Sequence, residues 1–86
     1  MNTVYEINEN IIVRNEDGVL FDMNNNVIIE CNEVGFDIIC KINGKATVDE
    51  IIKAMTSEYA ADEEIGQAVV EFLEQCLEDK LIKTKK

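Results

Sequence analysis

The chain contains no histidine and no proline, and its four glycines, Gly18, Gly35, Gly44 and Gly66, stand apart from one another. Lack of histidine removes the commonest general base of enzymes. Isolated glycines exclude a phosphate-cradling loop, which needs them clustered. No carboxylate pair stands out from the general excess of acids, so catalysis by this chain alone is not expected. The three cysteines, Cys31, Cys40 and Cys76, are widely spaced and odd in number. They lack the spacing of a zinc site and read as small buried hydrophobes, although Cys31 fits that reading least. No metal and no cofactor is expected. No apolar run approaches the roughly 20 residues of a membrane helix. The stretch Met1–Glu6 lacks the basic and apolar regions of a signal peptide, so a cytoplasmic protein with no membrane partner is expected.

Basic residues are also scarce. The 86 residues carry 18 acids and 8 bases, a formal charge of −10. From Glu58 to Asp79 there are eight acids and no base. Such a surface repels nucleic acid, whose binding depends on phosphate contacts, and attracts basic peptides or basic protein faces. A solvated helix face that keeps the protein soluble accounts for it equally well.

Hydrophobic residues make up 47% of the chain, enough for the core of one small domain spanning residues 1–86. Residues 1–9 read as a loose arm and residues 83–86 as a ragged basic tail. Asn10–Arg14 is a first strand, Val19–Met23 a second and Val27–Cys31 a third, each rich in β-branched or aromatic residues. Asp17-Gly18 and Asn24-Asn25-Asn26 supply the turns, and loops this short make an antiparallel meander. Both parities of every strand carry apolar side chains. The faces therefore stay unassigned, and one helical layer cannot cover them all.

The character of the chain changes within one residue after Cys31. Asn32 caps, Glu33 favours a first turn, and Val34, Ile38, Ile39 and Ile42 share one side of a helix over 33–42. Asn43-Gly44 stops it. Thr47 and Glu50 form a capping box for a second helix to about Tyr59, with Val48, Ile51, Ile52, Met55 and Tyr59 as its apolar face. Asp62 caps a third helix ending near Lys80. On it Ile65, Val69, Phe72, Leu73, Cys76 and Lys80 fall on one side, while Val70, Leu77 and Leu81 widen the stripe around one edge. The expected fold is α+β: a three-stranded antiparallel meander followed by a three-helix, winged-helix-like bundle.

Several stretches carry a resemblance. They are Gly18–Asp22, Val27–Ile38 with its Asn32-Glu33-Val34-Gly35, the run Gly44-Lys45-Ala46-Thr47-Val48-Asp49-Glu50-Ile51, the late Phe72-Leu73 within Val69–Leu77, and the closing Leu81-Ile82. At their mutual spacing these residues resemble the PqqD-like family of small peptide chaperones, also called precursor-recognition elements for ribosomally made, modified peptides. The likeness spans about Val13 to Ile82. It implies a non-catalytic protein that binds the leader segment of a precursor peptide and presents it to a modifying enzyme, often a radical SAM enzyme. It implies that the leader adds as a strand to the third strand and lies against the third helix. The positions so implicated are Val27, Ile28, Ile29, Glu30 and Cys31 on the strand, and Val69, Phe72, Leu73 and Cys76 on the helix. Val70 and Leu77 join the helix positions if the other helix edge faces the groove. Glu71, Glu74, Glu78 and Asp79 are available to basic leader residues. Core packing is at least as good an account of each apolar position. Two departures stand out: Lys80 occupies a position that is usually glycine in the family, and Cys31 and Cys76 replace commoner residue types.

Three other functions fit parts of the sequence. A DNA-binding winged helix would need Arg, Lys, Asn or Gln on the third helix, which carries acids instead. A structural dimerisation module would use the surplus apolar sheet surface, and the chain is compatible with a monomer or a homodimer. An acidic carrier protein would need a serine for its cofactor arm, but the single serine, Ser57, lies mid-helix without the flanking Asp and Leu of that family.

Overall fold

The computed structural model describes residues 3–59 and 64–85. In chain order the elements are β1 (Tyr5–Ile7), β2 (Ile11–Arg14), β3 (Val19–Asp22), β4 (Val27–Glu30), α1 (Glu33–Lys41), α2 (Val48–Glu58), α3 (Ile65–Glu78) and β5 (Ile82–Thr84). The expected meander is β2-β3-β4, antiparallel throughout, with three helices after it. The fold class is therefore α+β, as the residue patterns indicate.

The register assigns the sheet faces that the sequence left open. Val13, Leu20 and Ile29 form one cross-strand row, and Ile12, Phe21 and Ile28 form the next. Leu20 is fully buried and Val13 and Ile29 pack on the core, whereas Ile12 and Ile28 are exposed. The core lies between the Leu20 side of the sheet and the three helices, where Ile38, Ile39, Ile51, Met55, Val69 and Leu73 fill the centre.

The chain ends differ from expectation. Residues 1–9 are not a loose arm throughout, and residues 83–86 are not simply a tail. β1 pairs antiparallel with β5, matching Tyr5 to Thr84 and Ile7 to Ile82. Tyr5 and Ile82 are buried, and the Lys85 N–H donates to the Val4 carbonyl at 2.9 Å. Each strand is only three residues long and its partner is distant in sequence, so local pattern carries no sign of the pairing. The Val48 N–H donates to the Thr3 carbonyl at 2.9 Å, fixing the same segment to the start of α2.

Helix termini follow side-chain chemistry. The Asn32 side chain accepts from the Gly35 N–H at 2.7 Å. Thr47 and Glu50 make both bonds of the capping box, at 3.2 and 2.8 Å. α1 ends at Lys41, with Ile42 as its C-cap rather than its last residue. The cap expected at Asp62 lies outside the described residues. At its C-terminus α3 closes as a Schellman motif: the Lys80 N–H reaches the Leu77 carbonyl and the Leu81 N–H the Cys76 carbonyl. Lys80 therefore takes φ 62°, the left-handed conformation that suits glycine. Between α1 and α2, the Tyr59 hydroxyl donates to Asp37. That bond, with burial and the neighbouring negative charge behind it, pushes the phenol up to about 12.

Candidate functional site

Among the described residues β4 has a hydrogen-bonded neighbour on one side only, because the sheet order ends with it. Its outer edge offers unpaired backbone N–H and C=O groups in a row, the template that an extended peptide can use. Two features hold this edge in place. A tight turn precedes it, built on Asp22, whose carboxylate accepts from the N–H groups of Asn24 and Asn25 and from the side chains of Asn10 and Asn25. Those bonds hold the Asp22 carboxyl below its usual range, most strongly through Asn25 and Asn10. Asn26, at φ 55°, completes the turn, as asparagine tolerates that conformation. After the strand, the Asn32 cap starts α1 without slack.

Beyond the end of β4 lies the first turn of α1 and one edge of α3. Phe72 packs on Gly35 so closely that a Cβ there would come within 2.8 Å of the ring. Only glycine leaves room for this contact. Cys31, half-buried, lies near Cys76 of α3. Burial, followed by the proximity of Cys31 and Asp79, pushes the Cys76 thiol up to about 12, and burial also raises Cys31. Both thiols are therefore protonated at neutral pH and act as apolar lining, not as nucleophiles.

The structure sorts the sequence candidates into three groups. Val27, Ile28 and Glu30 are exposed on β4. Ile29, Cys31 and Phe72 are half-buried, each packed against the core with part of its surface open. Val69, Leu73 and Cys76 are in the core, at 2% exposure or less. Helical spacing put these three on the same stripe as Phe72, but Phe72 alone of the four is half-buried, packed on Gly35 in the first turn of α1. Val70 and Leu77 lie on the other edge of α3, where they line a separate groove of about 440 Å³ with Tyr5, Val48, Leu73 and Glu74. Lys80 is exposed and beyond the helix end.

Sequence reasoning passed over two determinants. Asp22 reads as one more residue within the strand Val19–Met23, yet it is buried, ends β3 and organises the turn that positions β4. The asparagines at 10, 24 and 25 were the available signal. The outer apolar row of Ile12, Phe21 and Ile28 was invisible until register was known.

Among the described residues no group of Cys, Asp and Glu is arranged to hold a metal ion, and no helix is long and apolar enough to cross a membrane. No curated protein and no solved structure matches the chain significantly. Comparison with protein families matches residues 17–82 to the family described as Coenzyme PQQ synthesis protein D (PqqD). The matched span runs from the turn before β3 to the start of β5 and takes in β4, the Asn32 cap, Gly35 and the whole of α3. The chain belongs to the PqqD family.

Proposed function

We propose that this protein binds the leader segment of a ribosomally made precursor peptide and presents it to a modifying enzyme, without catalysis of its own. Family membership supports the precursor-binding role. In this reading the leader adds as a strand to the free edge of β4 and rests against Cys31 and Phe72. The observation that carries the binding mode is that edge itself. It is a short strand, paired on one side only among the described residues, and flanked by half-buried apolar groups. β2 is the other edge of the sheet; the family resemblance points to the third strand, β4, rather than to it.

The energetics suit a reversible carrier. Ordering a disordered leader costs about 2–5 kcal/mol. A few edge hydrogen bonds, each worth about 0.5–1.5 kcal/mol net, offset that cost only in part. Apolar leader residues covering Ile29, Cys31 and Phe72 supply the remainder. The enzyme served is of the radical SAM class, as the family resemblance implies. The acids Glu71, Glu74 and Glu78 on the exposed side of α3 favour a basic partner face and disfavour nucleic acid.

Fluorescence anisotropy of a labelled leader peptide, synthesised from a short precursor reading frame sought beside this protein's gene, tests the proposal. Saturable binding that is lost in Ile29→Asp, with circular dichroism unchanged, supports it. A folded Ile29→Asp variant that binds normally removes β4 from the site. A second reading, a dimerisation module, draws on the exposed Ile12, Met23 and Ile28. A tight dimer by sedimentation, indifferent to the leader, would favour it.

A further inference from the structure

Ile28 is the most exposed large hydrophobic residue described, at 63%, and its side chain stands on the outer face of the sheet, away from α3. A peptide held only by the groove beside α3 leaves this side chain uncovered. The cross-strand rows suggest what covers it. On the outer face Ile12, Phe21 and Ile28 form an apolar row that stops at the free edge. The adjacent outer row is Arg14, Val19 and Glu30. Arg14 pairs locally with Asp17 at 3.1 Å, while Glu30 has no ion-pair partner among the described residues. On the inner face Val13, Leu20 and Ile29 form a row that points toward the side of the sheet where Cys31 and the helices lie.

We infer that β4 reads the leader on both faces of the sheet, with Glu30 and Ile28 as specificity-determining residues for a leader segment of the form basic, apolar, then β-branched or aromatic. This rests on the proposed strand addition. A guest strand continues each row by one residue. Every pairing in this sheet is antiparallel, the arrangement that is also slightly the more stable per residue. An antiparallel guest meets Glu30 first, then Ile29, then Ile28. The residue opposite Glu30 is Lys or Arg, because opposite charges facing each other across strands attract and like charges repel. The next residue turns inward and is apolar, beside Ile29. The third faces outward beside Ile28, where aromatic and β-branched pairs are favoured. Binding thereby extends the outer row to four residues and removes Ile28 from water.

The test uses the same labelled leader peptide against wild type, Glu30→Lys, Ile28→Thr and Ile29→Asp. The leader is also made with each of its Lys or Arg residues changed singly to Glu. Cross-strand pairs are worth roughly a two- to fivefold change in affinity each, and reversal of a charge pair about three- to tenfold. The expected result is that Ile28→Thr weakens binding about two- to fivefold and Glu30→Lys about three- to tenfold. One basic-to-Glu leader also loses affinity against wild type and regains it against Glu30→Lys, and the residue two positions after that base is β-branched or aromatic. If wild type binds and Ile29→Asp does not, but no leader substitution is rescued by Glu30→Lys and Ile28→Thr is silent, the two-faced reading is overturned while strand addition stands. If wild type itself does not bind the leader, the proposed function fails, and this inference with it.

Discussion

Replacing Lys80 with glycine should make this protein more stable. Lys80 sits one residue past the C-cap of α3 with φ 62°, and its N–H closes one of the two bonds of the Schellman motif. An L-residue held in the left-handed region costs about 1–2 kcal/mol. Glycine avoids that cost but gains freedom in the unfolded chain, which takes back about 0.4–1 kcal/mol. The net expectation is a gain of about 0.5–1 kcal/mol, which corresponds to a rise in Tm of about 2–8 °C for a domain of this size. Lys80 is exposed and makes no ion pair among the described residues, so loss of its side chain adds little. Thermal unfolding by circular dichroism of wild type, Lys80→Gly and Lys80→Ala separates backbone from side-chain effects. Alanine keeps the strain and should leave Tm nearly unchanged. The reasoning is refuted if Lys80→Gly lowers Tm, or if Lys80→Ala raises it as much as Lys80→Gly.

Other consequences follow from the same geometry. Leu73→Ala should cost about 2–5 kcal/mol in urea unfolding, the range for a large core deletion, because Leu73 is buried; leader binding by the fraction still folded should be unchanged. Asp22 is held below its ordinary pKa by hydrogen bonds, so its stabilising effect is complete above the unfolded carboxyl value near 4 and is lost as pH falls through the lower folded value. Asp22→Asn should accordingly lower stability at neutral pH and flatten the acid limb of a plot of Tm against pH. In a Cys40→Ala background, Cys31 should react slowly with a thiol reagent and Cys76 hardly at all, as their burial and raised pKa values require. Saturating leader should slow Cys31 labelling further, measured by mass spectrometry of the modified peptide.

The sequence carried those parts of the fold that are written locally. Thr47 and Glu50 specify the start of α2 by side chains three residues apart, and Asn32 does the same for α1. Asp17-Gly18 and Asn26 mark the two turns of the meander, and Gly18 and Asn26 take positive φ there. The pairing of β1 with β5 was not legible, since Tyr5–Ile7 and Ile82–Thr84 meet across nearly the whole chain. Sheet faces were ambiguous for a related reason. With Ile11, Ile12 and Val13 in succession, hydrophobicity cannot choose a parity, and only the burial of Leu20 against the helices does so. At the site, periodicity grouped Val69, Phe72, Leu73 and Cys76 on one helical stripe. It could not tell the buried centre of that stripe from the margin where Phe72 meets Gly35. That distinction belongs to packing.

The central claim is that the leader occupies the free edge of β4 as a strand. Amide hydrogen exchange followed by NMR, with and without saturating leader, tests it residue by residue. Strand addition predicts new protection at alternate amides within Val27–Glu30, those pointing away from β3, with β2 unchanged. Protection confined to β2, or to the Tyr5, Val70 and Leu77 groove with β4 still exchanging freely, would contradict it.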